Sequence, residues 1–331
     1  MNGKGLVVVI ILFLMQISGF SLMAHETGTS MPGLGENWLY VGGGGPGNYS
    51  TIQDAIDAAN PGDTVFVFDD SSPYHETLLV HTSLSLIGEK KETTIIDALN
   101  TSDIVNITAD NVTIRGFTLQ NSNESGVIIN SDNNIITENI FLSTCYGVRT
   151  GIVSPLTGLR NNTMSNNLVD SCGMGIALWC GWDTTITGNV FTQCEEAIWL
   201  IMSLNTNITL NVITENFIGI WIMIDYHTIV YRNNISFNSR FGLYSSGTNA
   251  NKILQNNFIG NNQSAVSSQW FIPEIKFWKE LGLPIFRRNI WRANYWDEPR
   301  LVPYMIPGIL LKNRFHFDWF PAQEPYEIPE R

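Results

Sequence analysis

The chain has 331 residues, a formal net charge of −12 and a sequence pI near 4.8, and this acidic balance argues against nucleic acid as a partner. The charge is uneven, because residues 25–269 hold 8 basic and 22 acidic residues whereas residues 270–331 hold 9 basic and 8 acidic ones. Together with a rise in Pro and Trp content, this break predicts a boundary near Trp270 and an aromatic, Pro-rich C-terminal cap over 270–331.

The first 24 residues have the features of a targeting segment. Lys4 provides a positive start, residues 6–15 form an apolar run, and Leu22-Met23-Ala24 is an acceptable cleavage site. We therefore predict a signal peptide over 1–24 and a linker over 25–39. The apolar run is also long enough to serve as an uncleaved anchor, and a membrane contact is expected only through such an anchor.

A short amphipathic helix is predicted after the linker. Ser50-Thr51-Ile52-Gln53 resembles a capping box, and Asn60-Pro61-Gly62 ends the helix. One apolar stripe at helical spacing lies between them and consists of Ile52, Ala55, Ile56 and Ala59. Such a helix would cover the first coil of a repeat structure, whose open end would otherwise expose its core.

One pattern recurs along residues 40–269: an apolar residue, two variable residues, Asn, one variable residue and a second apolar residue. Its first full copy is Ile136/Asn139/Phe141, and successive Asn positions differ by 28, 22, 22, 22 and 23. The Asn positions are Asn139, Asn167, Asn189, Asn211, Asn233 and Asn256. We expect these amides to form a structural ladder by hydrogen bonding from coil to coil.

A second pattern, a small residue followed by an aliphatic one, repeats with the same period from Gly126-Val127 to Ala265-Val266. Both patterns lengthen to 28 in the coil that spans 147–167, which contains the turn-rich segment 154–158 and predicts an inserted loop there. Two patterns that shift together indicate one repeated structural unit. A period of about 22 with β-branched runs and Asn or Gly turns predicts an all-β parallel β-helix, or solenoid, over 40–269.

The residues around the predicted helix resemble the start of pectin-lyase-like β-helix proteins, with Tyr49–Ile56 followed by Gly62-Asp63-Thr64-Val65. The Asn-x-Ile/Phe coils and Asn294-Tyr295-Trp296-Asp297 resemble the NosD-like branch of that superfamily. The resemblance implies a right-handed parallel β-helix. Because the superfamily holds lyases, hydrolases, esterases and adhesins, the resemblance is specific for the fold and leaves the activity open.

Strand alternation predicts an outward-facing aromatic file. Trp199, Trp221 and Tyr244 occupy the same place after a small residue in three successive coils, so their side chains should point outward. Trp179 should lie one pleat further along on the neighbouring coil. Such a file could stack sugar rings, because aromatic faces are large and apolar. Alternatively, the C-terminal segment or the 154–158 loop folds over it.

Polar residues are expected near the same face. Arg149 takes the matching place after Gly147, and Asp183 and Asp225 follow the strands that carry tryptophans. Paired carboxylates there could perform acid–base chemistry or bind Ca²⁺, or they could be turn residues that bond the backbone. The predicted carbohydrate-binding surface consists of Trp179, Trp199, Trp221, Tyr244, Arg149 and Asp225, without a catalytic residue, a metal site or a required cofactor.

The cysteines Cys145, Cys172, Cys180 and Cys194 show no C-x-x-C spacing, so no zinc or redox site is predicted. The NosD resemblance implies a link to copper delivery in the periplasm. Soft copper sites use clustered Cys, Met or His, and the five histidines of this chain are scattered. Cys172 and Cys194 lie near the same place in successive coils, either as stacked core residues or as a disulfide.

Three functions remain open from the sequence. The first is an exported, non-catalytic β-helix at the cell surface, secreted or in a periplasm-like space, that binds polysaccharide or contributes to the cell envelope. The second is a polysaccharide lyase or hydrolase, and the third is a NosD-like metal accessory protein. Nine N-x-Ser/Thr sequons could accept glycans in an organism with the required machinery.

Overall fold

The structure is a computed structural model of the chain, and it describes residues 37–154, 156–268, 281–283, 288–308 and 316–329. The predicted signal peptide and most of the predicted linker lie outside the described residues. Within them, the predicted fold class is confirmed, because the chain is an all-β parallel solenoid of about 10 turns with almost no helix. No helix among the described residues is long and apolar enough to cross a membrane.

The strands follow one another around each coil and are short, apart from two long ones. The first ten are β1 (Trp38–Val41), β2 (Thr64–Val67), β3 (Leu78–Val80), β4 (Ser85–Gly88), β5 (Ile95–Asp97), β6 (Val105–Ile107), β7 (Thr113–Arg115), β8 (Thr118–Ile129), β9 (Ile135–Thr137) and β10 (Ile140–Thr150). The next ten are β11 (Leu159–Arg160), β12 (Thr163–Ser165), β13 (Leu168–Asp170), β14 (Met174–Trp179), β15 (Gly181–Trp182), β16 (Thr185–Thr187), β17 (Val190–Thr192), β18 (Glu196–Ile201), β19 (Asn207–Thr209) and β20 (Val212–Thr214).

The remaining strands carry the solenoid to its C-terminal end. They are β21 (Ile218–Met223), β22 (Ile229–Tyr231), β23 (Asn234–Ser236), β24 (Phe241–Ser246), β25 (Lys252–Leu254), β26 (Asn257–Ile259), β27 (Ala265–Ser268), β28 (Ile290–Arg292), β29 (Tyr295–Trp296), β30 (Tyr304–Ile306) and β31 (His316–Asp318). The stretch between β10 and β11 contains the predicted inserted loop.

Two long sheets, both almost entirely parallel, are built by stacking corresponding strands of successive coils. Sheet A runs in the order β1-β2-β4-β7-β9-β12-β16-β19-β22-β25-β28-β31-β30. Sheet B contains two further faces of the coil, one built by β14, β18, β21, β24 and β27 and the other by β13, β17, β20, β23, β26 and β29. The long strands β8 and β10 turn the corner between these two faces and join them into one sheet.

The core is a set of aliphatic and aromatic files that run along the solenoid axis. In sheet A the central residue of each three-residue strand points inward, so that Ile186, Ile208, Val230 and Ile253 stack in register and are buried. A single coil cannot bury these side chains alone. Stability therefore comes from stacking on neighbouring coils at a strand spacing of about 4.8 Å.

Each coil turns its corners through residues in the left-handed backbone conformation. At one corner these are Asp183, Asn205, His227 and Ala250, with φ between 52° and 62°. Asn and Asp adopt this conformation more readily than other residues with a side chain. The residue after each of these corner positions is buried and polar, which brings polar atoms into the core.

The predicted N-terminal helix is present as α1 (Ile52–Ala58). Thr51 is its N-cap and accepts a hydrogen bond from the Asp54 N–H, while the Glu76 carboxylate accepts the N–H groups of Ile52 and Gln53. The apolar stripe packs into the core beside β1 and β2. The helix therefore covers the first coil.

At the opposite end, parallel pairing continues into the segment predicted as a cap. β28 pairs with β25 and β29 pairs with β26, so residues 290–296 add a further partial coil. Trp296 stacks between the rings of Phe258 and Tyr304, at 4.5 and 4.0 Å between ring centroids. β30 and β31 then form an antiparallel pair at the end of sheet A.

Candidate functional site

The predicted aromatic file lies on the outer side of sheet B. Trp199 pairs with Trp221, and Trp221 pairs with Tyr244, so the three occupy one place in successive coils. Trp179 pairs with Ile201 and lies two residues along the strand from the position that is in register with Trp199. Arg149 belongs to the same file as Trp199, because both pair with Ala177 from opposite sides.

The rings of this file do not form the open, flat ladder that the sequence suggested. Trp199 is only 8% exposed, and Trp179, Trp221 and Tyr244 are half-buried. Trp221 meets Tyr244 edge-to-face with an interplanar angle of 85°, and Trp179 meets Trp199 at 63°. In each of these two pairs one ring meets the other edge-to-face, and Tyr244 also stacks on Phe241, so little continuous face is left for a sugar.

Arg149 is engaged within the protein. Its guanidinium donates to both carboxylate oxygens of Asp103, at 3.2 and 3.3 Å, and its Nε donates to the Ser125 hydroxyl. It also lies 5.7 Å from the Tyr146 ring centroid. The Arg149 guanidinium, which was predicted to face a ligand, therefore links three successive coils through Ser125 and Asp103.

Asp225 corrects a second expectation. It was expected on the outer face, but its side chain is fully buried and accepts a hydrogen bond from Asn251 Nδ2 at 3.2 Å. The reason is that Ile224 adopts the left-handed conformation, and the chain turns so that the next side chain points into the coil. Burial raises the pKa of Asp225 to about 7.

The pairing of Asp225 with Asp183, which the sequence left open beside a role in turns, is not formed. Asp183 stands at the left-handed corner position on the surface, where it accepts from Asn205 Nδ2 and lies 3.6 Å from Arg160. The two carboxylates therefore occupy different places in the coil, one outside and one inside. They do not form the paired Ca²⁺ or acid–base site that was considered from the sequence.

The six repeated asparagines stand in one buried file. Asn211 Oδ1 accepts from both the backbone N–H and the Nδ2 of Asn189, at 2.9 and 3.0 Å. Asn211 Nδ2 in turn donates to the Ile186 carbonyl and to Asn233 Oδ1. The Asn211 amide therefore uses both hydrogens and both lone pairs, and its bonds link three coils along the axis.

The ladder extends beyond the six predicted residues. Phe117 N–H donates to Asn139 Oδ1 at one end, and Asn256 Nδ2 donates to Asn294 Oδ1 at the other. Asn294 donates to Asp318, whose carboxylate also accepts from Trp296 Nε1. A carboxylate only accepts hydrogen bonds, which suits the last member of a chain of donors.

An exposed aromatic cluster on sheet A was missed by the sequence analysis. Trp38 and Tyr40 on β1, together with Phe66 on β2 and Phe68 directly after β2, form neighbouring pairs with ring centroids 5.1 to 6.3 Å apart. Trp38 is 50% exposed and Tyr40 is 40% exposed. We call these four residues the N-terminal aromatic cluster.

A shallow groove of about 480 Å³ begins beside this cluster and runs along sheet A. The residues that line it include Phe66, Ile87, Glu89, Lys91, Arg115 and Glu138. Phe66, Ile87 and Arg115 form one outward file, because β2, β4 and β7 pair in register. Among the described residues, Lys91 and Arg115 have no carboxylate within ion-pair distance, so both cations are available to a ligand.

A signal for this cluster does exist in the sequence. Trp38 and Tyr40 flank one residue, and Phe66 and Phe68 flank another, so each pair lies on one face of a strand. The pattern was missed because β1 and β2 precede the first Asn of the repeat. Only the three-dimensional register shows that the two strands are neighbours.

The strand order and register define the chain as a parallel β-helix protein. The chain belongs to the family described as "Periplasmic copper-binding protein (NosD)", whose sequence model matches residues 87–301, more than half of the chain. Among curated proteins, no sequence matches this chain.

Solved structures share the fold at low sequence identity. One, titled as the complex of XylC with xylose, is 9% identical, covers 79% of this chain and 83% of its own, and has a TM-score of 0.53. A pectin methylesterase from carrot is 13% identical, with 79% and 85% coverage and a TM-score of 0.39. An alginate lyase from Paenibacillus sp. is 11% identical, with 72% and 94% coverage and a TM-score of 0.39. At these identities the likeness concerns the fold alone.

The described residues do not fit the copper site that the family description implies. Among them, no group of three or more His, Cys, Asp or Glu side chains could hold a metal ion. Cys172 and Cys194 are free thiols stacked in the core, where Cys172 Sγ lies 3.1 Å from the Thr144 hydroxyl. The hydrogen bond with Cys172 and burial raise the pKa of Cys194, whereas the same hydrogen bond lowers the pKa of Cys172, so the pair does not favour two thiolates for copper.

Proposed function

We propose that this chain is an exported, non-catalytic β-helix protein that binds polysaccharide on its outer surface. The observation that carries the proposal is the N-terminal aromatic cluster, in which Trp38 and Tyr40 present exposed rings beside an open groove. Export is supported by the apolar N-terminal run and by a family described as periplasmic. The polysaccharide could be soluble or part of the cell envelope.

The cluster has the chemistry that a sugar-binding surface needs. The C–H face of a pyranose is apolar, and it packs on indole and phenol rings at little cost in side-chain entropy. Monomeric proteins seldom expose apolar patches of several aromatic side chains unless the patch is used. In the adjoining groove, Lys91, Arg115 and Glu138 offer donors and acceptors for the hydroxyl or carboxylate groups of the following sugar units.

The test is affinity measured on an array of polysaccharides, followed by titration of the best ligand. Trp38→Ala and Tyr40→Ala should each weaken binding about tenfold, which is the stacking contribution of one ring. Trp319→Ala is the matched control, because this ring is 62% exposed and lies outside the cluster. Circular dichroism should show all three variants folded.

Trp221→Ala tests the alternative surface, the aromatic file of sheet B. If this substitution abolishes binding while Trp38→Ala does not, the ligand lies on sheet B and the N-terminal aromatic cluster is not the site. Absence of binding to every polysaccharide on the array contradicts the proposed function itself.

A polysaccharide lyase or hydrolase is the second candidate, because the same groove contains the two carboxylates Glu89 and Glu138. Paired carboxylates with adjacent cations are the groups that such reactions use. Depolymerisation of a bound polysaccharide, followed by its loss in Glu138→Gln with unchanged affinity, would favour this candidate. Binding without any new chain ends favours the non-catalytic function.

A further inference from the structure

One corner of the solenoid holds buried polar atoms that the surrounding protein leaves unpaired. Ser203 Oγ, Thr206 Oγ1, Asp225 Oδ2 and Thr228 Oγ1 have no partner at normal hydrogen-bond distance and angle among the described residues, although the Thr228 hydroxyl lies near enough to the Asp225 carboxyl to lower its pKa against the larger effect of burial. All four residues are 0% exposed. Native proteins pair almost all buried polar atoms, so four such oxygens at one corner call for a bound group.

The four residues are neighbours because of the coil register. The bridge between Leu204 and Tyr226 places Ser203 directly beside Asp225 on the next coil. The pairing of β19 with β22 places Thr206 beside Thr228 in the same way. The four residues therefore form a small quadrilateral. Its edges between coils join Ser203 to Asp225 and Thr206 to Thr228 and equal the coil spacing of about 4.8 Å. Its other two edges each span three residues along the chain.

On the C-terminal side of this quadrilateral, the buried polar groups already have hydrogen-bond partners. Asn251 Nδ2 donates to Asp225 Oδ1 at 3.2 Å, and Asn251 Oδ1 accepts from the Thr228 N–H at 2.9 Å. Asn289 Nδ2 donates to the Thr248 hydroxyl one coil further on. These amides form hydrogen bonds on the C-terminal side, whereas Asp225 Oδ2 and the three hydroxyls on the other side have no such partner.

We propose that these four oxygens bind a monovalent cation, with Na⁺ as the natural occupant. The donor set is all oxygen, which selects hard cations over soft ones. One carboxylate with three neutral hydroxyls balances a single positive charge. Ca²⁺ requires six to eight oxygens and usually several carboxylates, so in this buried corner it would leave an uncompensated charge.

The cation would also explain how a carboxylate is retained in this interior. An isolated ionised carboxylate is costly to bury, and burial here raises the pKa of Asp225 to about 7. A cation between Asp225 Oδ2 and the hydroxyls neutralises the charge and bridges two coils where threonines interrupt a second file of buried asparagines, between Asn162 and Asn251. The competing occupant is ordered water beside a protonated Asp225.

The experiment compares the Tm of the full chain at pH 8 in NaCl and in tetramethylammonium chloride at equal concentration. The wild-type protein should melt about 2 °C higher in NaCl, as expected when only the folded state binds the ion. Asp225→Asn should remove this difference, and Thr206→Val should reduce it. Asp183→Asn is the control, because it removes a surface carboxylate from the preceding coil and should leave the difference unchanged.

Crystals soaked with thallium(I) then locate the ion directly. An anomalous peak among the four oxygens in the wild type, and its absence in Asp225→Asn, is the expected result. Equal melting temperatures in both salts, a sodium effect that survives Asp225→Asn, or a shift produced by CaCl₂ and not by NaCl would each overturn the proposal. The absence of an anomalous peak in the wild type, with ordered water in the electron density among the four oxygens, would do the same.

Discussion

Two corners of the same solenoid differ in how their buried polar atoms are hydrogen bonded. At the asparagine corner, each amide accepts from the coil before it and donates to the coil after it, and Asn211 has no unused hydrogen or lone pair. At the Asp225 corner, threonines replace asparagines in three successive coils of a second buried file, between Asn162 and Asn251, and four oxygens there have no partner. An amide matches a repeat of about 4.8 Å in both directions, whereas a hydroxyl or a carboxylate does not.

The difference shows that a buried polar file can have a structural or a binding role according to its chemistry. A file of identical amides is complete in itself and requires only protein. A file of hydroxyl and carboxylate oxygens has unused acceptors, which need a bound ion or water as a partner. The three predictions below test this contrast, from the largest expected effect to the smallest.

A substitution in the asparagine ladder should cause the largest loss in the free energy of unfolding. Asn211→Ala removes one member of the ladder, so the backbone N–H and the Nδ2 of Asn189 lose their acceptor in the core, while Asn233 Oδ1 keeps only the backbone N–H of residue 211. We expect a loss of about 3–5 kcal/mol in the free energy of unfolding, since each unsatisfied buried group costs about 1–3 kcal/mol. Chemical denaturation measures it, with the exposed Asn262→Ala as a control within about 0.5 kcal/mol of the wild type. A loss below about 1 kcal/mol would show that the ladder contributes little.

The contribution of the Asp225 corner to the stability of the protein should depend on pH. Because burial raises the folded-state pKa of Asp225 to about 7, the folded state retains a proton that the unfolded state loses at lower pH. In sodium-free buffer the contribution of Asp225 to the stability should therefore be most favourable below pH 4, fall as the pH rises to 7, and then level off. The expected fall is on the order of 3 kcal/mol.

The comparison variant for the pH experiment is Asp225→Asn. It keeps the acceptor for Asn251 and removes the titrating group, so this part of the pH dependence should disappear. Added NaCl should reduce the fall in the wild type, because the cation favours the ionised carboxylate. A profile that is the same in both proteins would mean that Asp225 does not control stability over this range.

Removing a single unpaired hydroxyl should have the smallest effect. In sodium-free buffer, Thr206→Val exchanges a hydroxyl without a partner for a methyl group and should change the stability by less than about 1 kcal/mol. Thr184→Val, one coil earlier in the same file, removes a hydroxyl that donates to the Trp182 carbonyl and should cost about 1 kcal/mol more. A larger loss for Thr206→Val than for Thr184→Val would imply that Thr206 has a partner in sodium-free solution.

Much of the fold could be predicted from the sequence because the signal is periodic. The steps between Asn139 and Asn256 identify the coil, and the loop at 154–158 explains the one long step. The helix α1 was predicted from Thr51 and its apolar stripe, and the structure contains it with Thr51 as the N-cap. These features are local or repeat at a constant interval, so composition and spacing reveal them directly.

The candidate site could be predicted only in part. Alternation places Trp199, Trp221 and Tyr244 in one file, and the register agrees, but their mutual edge-to-face packing is invisible in the sequence. The N-terminal aromatic cluster depends on which strands become neighbours in coils that lack the Asn repeat. Its recognition required the register of β1 and β2.

By itself, the sequence determined the coil period, the asparagine ladder, the capping helix and the resemblance to a family of β-helix proteins. Only the tertiary structure decided that Asp225 points inward, that Arg149 is held by Asp103, and that the exposed aromatic face lies at Trp38 and Tyr40. Side-chain direction at a corner is set by a single left-handed residue, and that conformation is selected by the coils stacked above and below. A linear pattern records the repeat, whereas the direction of a corner side chain depends on contacts between residues about 22 positions apart.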